Sequence, residues 1–275
     1  GIAVIIFSGQ IRDFLGMGGG NVPADFLEKW GFYFRYISTI NPWALGIGGL
    51  SLVVSLGWPR INKLIPGSLI AIVLTTLIVY FAGLPVETIG SRFGEMQAGI
   101  PLPEIPALSF ERFRQLLMPA FTIAMLGAIE SLLSAMVADG ATGYKHRPNT
   151  ELIAQGVANI ITPLFGGIPA TGAIARTMTN IRSGGKTPVA GMIHAVVLLL
   201  ILLFLGRLAR LVPLATLSGI LMIVAYNMSE WRSFRALLRN ARSDVAVLLV
   251  TFLLTVFIDL TVAIQFGLLL AVLLF

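Results

Sequence analysis

The sequence predicts an all-α polytopic membrane protein, and three observations predict it. The 275 residues are 56% hydrophobic and only 12% charged, with a mean hydropathy of +0.89, where soluble domains carry roughly 25% charged residues. Several apolar runs reach or approach the length of about 20 residues that a spanning helix needs. Lys and Arg fall in short connections between these runs, as the positive-inside rule produces. The net charge of +6 is therefore no nucleic-acid footprint. The absence of cysteine excludes disulfides, thiolate metal sites and a cysteine nucleophile.

The elements follow in order. Apolar runs at 1–7 and 268–275 open and close the chain inside hydrophobic segments, so the expectation is an internal piece of a longer protein. Residues 42–58 form a glycine-rich candidate span edged by Trp43 and Trp58 at interface depth. Residues 66–83 form a second, apolar apart from Ser and Thr. Residues 116–138 are long enough to cross although they contain Glu130, and 150–163 is short, with Glu151, Gln155 and Asn159 spaced by four on one face. Residues 189–205 are strongly apolar, and 211–228 follows after Arg207 and Arg210. Residues 245–258 and 260–275, separated by Asp259, are expected to form a tight re-entrant pair.

The connections are 16–41, 84–115, 140–149 and 229–243. Pro85, Pro101, Pro103 and Pro106 prevent the second from being one helix. The last carries Trp231, Phe234, Leu237 and Leu238 on one face and Arg232, Arg235, Arg239 and Arg242 elsewhere, which predicts an amphipathic helix lying on the membrane surface. The alternation of spans is consistent if Arg60, Lys63, Lys145, Arg147, Arg182, Lys186 and 232–242 face the cytoplasm and the broken segment at 166–185 counts as one crossing.

The stretch GGIPATGAIARTMTNIRSGG at 166–185 is too polar and too broken to cross as one ordinary helix. Non-helical backbone survives at membrane depth only where protein or a watery cavity satisfies its polar groups, and interrupted helices point to a transporter's binding site. Gly166, Gly167 and Pro169 should unwind the chain, and Thr171 is a natural N-cap for a helix beginning near Gly172. That helix would reach only halfway across the core and offer its free N–H groups to an anion near the midplane. Arg176, about one turn in, adds a full positive charge. The alternative for Arg176 is a structural ion pair with Glu130 or a bond to a carbonyl.

Glu130 sits near the centre of its span, where an ionisable group costs about 2.5–3.5 kcal/mol and should face a cavity or partner. Ser134 lies one turn on and shares its face. Two readings stand side by side: a proton-exchanging carboxyl, or a carboxyl that only glues helices together. Gln155 and Asn159 read as helix-packing residues, His146 as a solvated loop residue, His194 as a polar packing position and Asp139 as a helix-end marker. No HExxH, GxSxG, P-loop or Cys/His cluster is present, which argues against an enzyme. No cofactor and no metal site are expected, and the glycines at 16–20 lack the context of a dinucleotide site.

Four blocks strongly resemble the SulP family of anion transporters: GAIESLL at 127–133, NTELIAQGVAN at 149–159, GGIPATGAIART at 166–177 and GGKTPVAG at 184–191, with PLATLSGIL at 213–221 also fitting. The resemblance implies fourteen transmembrane segments in two inverted seven-segment repeats, a core domain moving like an elevator against a gate domain, and usually a following cytoplasmic STAS domain. On that register the chain runs from the end of the fifth segment into the fourteenth, without the first four segments and the STAS domain. Residues 1–115 and 207–275 would be gate segments and 116–206 core segments, with a half-helix at 172–181. The family's substrate site lies between the half-helices of the third and tenth segments, beside the eighth.

Carried over by position, Thr171, Gly172, Ala173, Ile174 and Ala175 would line the anion site with Ser134 alongside, Arg176 would supply positive potential, and Glu130 would be the acidic coupling position. Sodium-driven bicarbonate members resemble this pattern with Asp at that position and a hydroxyl side chain where this chain has Ile174, so the departure favours protons over sodium. The implied function is secondary active transport of sulfate, bicarbonate, chloride or a dicarboxylate in a bacterial cytoplasmic membrane, with the lipid bilayer and a possible homodimer partner as associations. A passive anion channel and a nucleobase permease of the same architecture are the competing readings; Ile174 and Ala175 lack the polar groups to read a base edge.

Overall fold

In the computed structural model, residues 1–62, 65–94, 99, 101–105, 107, 109–182, 184–239, 242–258, 262, 263, 266, 267, 269 and 270 are described. The chain begins with α1 (Ile2–Leu15), α2 (Phe26–Arg35), α3 (Pro42–Gly57), α4 (Gly67–Ala82) and the short α5 (Ile89–Phe93). There follow α6 (Phe110–Thr142), α7 (Pro148–Ile161), α8 (Ile174–Arg182) and α9 (Val189–Leu200), which runs through a π turn at Ile201–Leu205 into α10 (Gly206–Ala209). Last come α11 (Leu214–Met228), α12 (Trp231–Leu237) and α13 (Arg242–Phe257). Among the described residues there is no strand, only an isolated bridge between Thr88 and Pro213.

Among the described residues three helical stretches, Pro42–Arg60, Phe110–Thr142 and Val189–Ala209, are long and apolar enough to cross a membrane, and Gly67–Ala82 and Ser243–Phe257 are shorter apolar helices. Local chemistry sets their ends. The Asn41 side chain accepts N–H bonds from Trp43 and Ala44 with Pro42 at the first position of α3, a strong start signal. Ser109 caps α6 by accepting from the Arg112 N–H. Gly16 and Gly143 end α1 and α6 in the left-handed conformation, with φ of 59° and 77°, which glycine adopts without a Cβ penalty.

Two expectations change. The 16–41 connection folds α2, capped by Asp25, whose carboxylate accepts the N–H groups of Leu27 and Glu28. The amphipathic surface helix shrinks to Trp231–Leu237, and Arg242 already belongs to α13. Its aromatic face is spent on neighbours: Trp231 stacks on Phe234 at 5.9 Å, and Phe234 meets Phe252 of α13 at 5.5 Å. Residues 245–258 lie in α13 and the turn after it, while most of their supposed re-entrant partner at 260–275 lies outside the described residues, as do Lys63, Asp259 and the Arg182 and Arg242 side chains.

The chain divides into two compact units, Gln97–Gly206 and the remainder, Gly1–Met96 with Arg207–Phe275. In the second of these, α1, α3, α4 and α11 pack around Ala44, Ile47, Val79 and Ala215. The contacts are small, as membrane helix packing requires. A Cβ on Gly48 would lie 2.8 Å from the Phe14 ring, and one on Gly219 would strike the Ser51 hydroxyl. Hydroxyls complete the seam: Thr216 Oγ1 donates to Thr75 Oγ1 at 2.8 Å, which donates to Ala71 O at 2.7 Å.

In the same unit, residues 87–90 pair with 210–214 through Ile89 N–H to Val212 O at 3.0 Å, Gly90 N–H to Arg210 O at 2.8 Å and Leu214 N–H to Glu87 O at 2.9 Å. That pairing presents Arg92 to Asp13 at the end of α1, where the guanidinium reaches Oδ2 at 2.9 Å and Oδ1 at 2.7 Å and also meets Glu87. Partial burial opposes the charge on Arg92, but Asp13 and Glu87 outweigh it and hold the guanidinium above the usual arginine value. Nearby, Tyr33 donates to Ser8 O at 2.6 Å, and burial, reinforced by Asp13, pushes its phenol up to about 12. Removing one member of such a half-buried pair leaves the other short of partners, at roughly 1–3 kcal/mol. Arg92→Ala in the full-length protein should therefore lower the thermal unfolding midpoint in detergent, and adding Asp13→Asn should recover part of the loss; an unchanged midpoint would show the pair contributes nothing.

Candidate functional site

The break expected after residue 166 is present. A 3₁₀ turn at Thr162–Phe165 ends on Gly166 with φ of 69°, residues 167–173 have no regular structure, and α8 then runs for 9 residues from Ile174 to Arg182. At about 1.5 Å per residue it covers less than half of an apolar core about 30 Å thick. The first intrahelical bond runs from Thr177 N–H to Ala173 O at 2.9 Å. The helix thus starts two residues later than residue 172.

Side chains of the two preceding helices take up the polar backbone of the break. Ala170 O accepts from Asn159 Nδ2 at 2.8 Å and from Gln155 Nε2, and Ala170 N–H donates to Asn159 Oδ1 at 2.8 Å. Gly172 N–H donates to Ser131 Oγ at 3.2 Å. The unwound peptide groups at Ala170 and Gly172 thus find partners on neighbouring helices.

Thr171 is not the N-cap of α8. Its hydroxyl donates to Gly127 O of α6 at 2.8 Å and lies 3.0 Å from Ser131 Oγ. Because a carbonyl can only accept, the Thr171 proton is committed there and Ser131 must donate to Thr171. The result is a directional chain from Gly172 N–H through Ser131 and Thr171 to Gly127 O. The physical reason for the changed role is that 171–173 lies along α6, so the nearest acceptor is a carbonyl of another helix rather than the first turn of α8. Ser134, one turn after Ser131, sits 2.9 Å from Thr177 Oγ1.

Gly127, Ser131 and Ser134 follow one another at spacings of four and three, so they form one stripe on α6. Ser131 and Ser134 are buried. Gly172 is there for room: a Cβ at this position would lie 3.2 Å from Ser131 Cα and 3.4 Å from Ser134 Cβ. Glu130 is exposed; at about 100° of rotation per residue it falls on the flank of the stripe. Arg176 is exposed on the first turn of α8. Among the described residues it forms no ion pair with Glu130, so that alternative is not realised. Ala173 is half-buried and Ile174 is 37% exposed, while the Ala175 side chain lies outside the described residues.

Four residues that hold the site together were not expected to do so: Ser131, Thr177, Gln155 and Asn159. The last two were visible as a polar stripe on α7, but their partner, one peptide of the break, has no sequence signature. His146 is likewise no free loop residue, since its Nδ1 lies 2.7 Å from Asp139 Oδ2 and its N–H donates to the same carboxylate at 3.0 and 3.1 Å. Among the described residues no cluster of His, Cys, Asp and Glu could hold a metal.

An all-α membrane fold with a half-length helix behind a protein-satisfied break is the architecture of a membrane transporter. Comparison with known proteins makes this specific. The model of the sulfate permease family matches residues 1–251, and the chain belongs to that family. It is 43% identical over 272 residues to the putative sulfate transporter YvdB of Bacillus subtilis, covering 98% of this chain and 51% of that protein. It is 34% identical over 278 residues to the bicarbonate transporter BicA of Picosynechococcus sp., covering 97% and 47%. Among solved structures, the transmembrane domain of a cyanobacterial BicA superposes with a TM-score of 0.80 at 31% identity, covering 95% of this chain and 66% of that one. Murine Slc26a9 shares the inverted-repeat fold, with a TM-score of 0.85 at 21% identity over 98% of this chain and 45% of its own. The chain spans about half the length of the curated relatives it matches.

The bonding pattern ranks two serines. Ser131→Ala removes the acceptor of Gly172 N–H and the donor to Thr171, whereas Ser134→Ala removes one bond. Unfolding of the full-length protein should show a loss of roughly 1–3 kcal/mol for the first and less for the second; the reverse order would contradict the directional chain.

Proposed function

We propose that this chain belongs to a secondary active anion transporter of a bacterial cytoplasmic membrane and includes its substrate-carrying segments. The observation that carries the reading is the start of α8: a helix N-terminus emerging from a protein-held break, with the exposed Arg176 guanidinium on its first turn. Orphan N–H groups, their partial positive charge and a full positive charge together make an anion-attracting locus. The backbone from Thr171 to Ala175 would line it, with Ser134 behind.

Membership of the sulfate permease family and the names of the relatives, sulfate and bicarbonate transporters, support an inorganic anion as cargo. Glu130 is the proposed coupling group. An anion would neutralise the helix terminus and Arg176 while a proton neutralises Glu130, so the loaded site could cross the apolar barrier with little net charge. Core segments at 116–206 would carry the site like an elevator against gate segments at 1–115 and 207–275. A homodimer is the proposed assembly.

The test uses full-length protein in liposomes. Concentrative sulfate or bicarbonate uptake driven by a pH gradient is expected, while a channel would only dissipate gradients. Glu130→Gln should abolish the pH dependence of uptake, and a wild-type pH response in that variant would refute the coupling role. Arg176→Ala should raise KM roughly tenfold or more, the cost of losing a charged hydrogen-bonding partner; an unchanged KM would remove Arg176 from the site.

A further inference from the structure

We propose that Asn159 positions the start of α8 through a two-way amide pair with Ala170; its consequence for transport rests on the reading above, whereas the pair itself does not. Asn159 lies near the end of α7. Its Nδ2 donates to Ala170 O at 2.8 Å while its Oδ1 accepts Ala170 N–H at 2.8 Å. Because the backbone N–H can only donate, it fixes which end of the side-chain amide is oxygen. The second Nδ2 proton goes to Gln155 O, 3.0 Å away in the same helix. Both N–H donors of Asn159 are thus spent on backbone, so the residue acts on the site by placing it rather than by touching a solute.

The geometry makes the position demanding. Ala170 stands four residues before Ile174, where α8 begins, and two before Gly172, whose N–H is held by Ser131. With the Thr171 hydroxyl bond to Gly127 O between them, those two attachments fix the short run into the helix, so together they set where its first N–H groups lie. A replacement for Asn159 must offer a donor and an acceptor on one planar group at the same reach. Asp offers acceptors only and turns a carboxylate toward Ala170 O; Leu, of similar shape, offers neither. Gln155 adds a second donor to Ala170 O but leaves Ala170 N–H dependent on Asn159.

The experiment compares wild type, Asn159→Asp and Asn159→Leu in the full-length protein, with two readouts. In nanodiscs, hydrogen exchange of peptides covering 166–173 should quicken roughly tenfold or more in Asn159→Leu, as expected when local protection is lost, and less in Asn159→Asp, which keeps the acceptor. In liposomes, KM for sulfate or bicarbonate should rise roughly tenfold, as misplacement of a binding group produces, with the maximal rate per folded molecule changed far less. Should Asn159→Leu not fold, Asn159→Asp carries both measurements. Exchange indistinguishable from wild type would overturn the clamp. Faster exchange with an unchanged KM would overturn its positioning role. If the wild-type protein takes up no anion, the transport reading fails and exchange alone decides the clamp.

Discussion

The constraint on which the structure turns is that unwound backbone at membrane depth has no water to satisfy it. Residues 167–173 are unwound, and side chains from two neighbouring helices supply partners for the peptide groups at Ala170 and Gly172. Asn159 and Gln155 from α7 hold Ala170, and Ser131 from α6 holds Gly172 while Thr171 anchors itself on Gly127 O. Glycine and proline open the break, and these bonds offset the cost of the helical bonds it loses. With them, a short helix begins directly after the break at Ile174.

That arrangement also explains the residue types around the break. The glycine at 172 lets α6 and the unwound run approach to near contact, and the hydroxyls beside it convert proximity into directed hydrogen bonds. The same logic of small residues and hydroxyls recurs in the other unit at Gly48, Ser51, Thr75, Thr216 and Gly219. There it builds helix packing alone. At the break it holds an unwound run in front of a short helix, the place proposed for the anion.

Much of this was legible before any coordinates, and the failures have a common cause. Helices α3 and α4 lie close to their expected limits because Asn41 with Pro42, and Gly83, are local stop and start signals. The break at Gly166 was legible because glycine and proline act on their own backbone. Thr171 was misread because its partner is a carbonyl 44 positions away, and no local rule reports that. Asn159 looked like generic helix packing for the same reason. The surface helix at 229–243 was over-extended because its aromatic face suits either lipid or a neighbouring helix, and Phe234 uses it on Phe252. The family resemblance supplies candidate site residues, but the bonds that hold the break come only from three dimensions.

The most direct measurement is an anomalous-scattering structure of the full-length protein soaked with selenate, a heavy-atom analogue of sulfate. The account predicts a selenium peak within hydrogen-bond reach of the first N–H groups of α8, beside Arg176. A well-occupied selenium peak elsewhere, with the amino end of α8 empty, would contradict it.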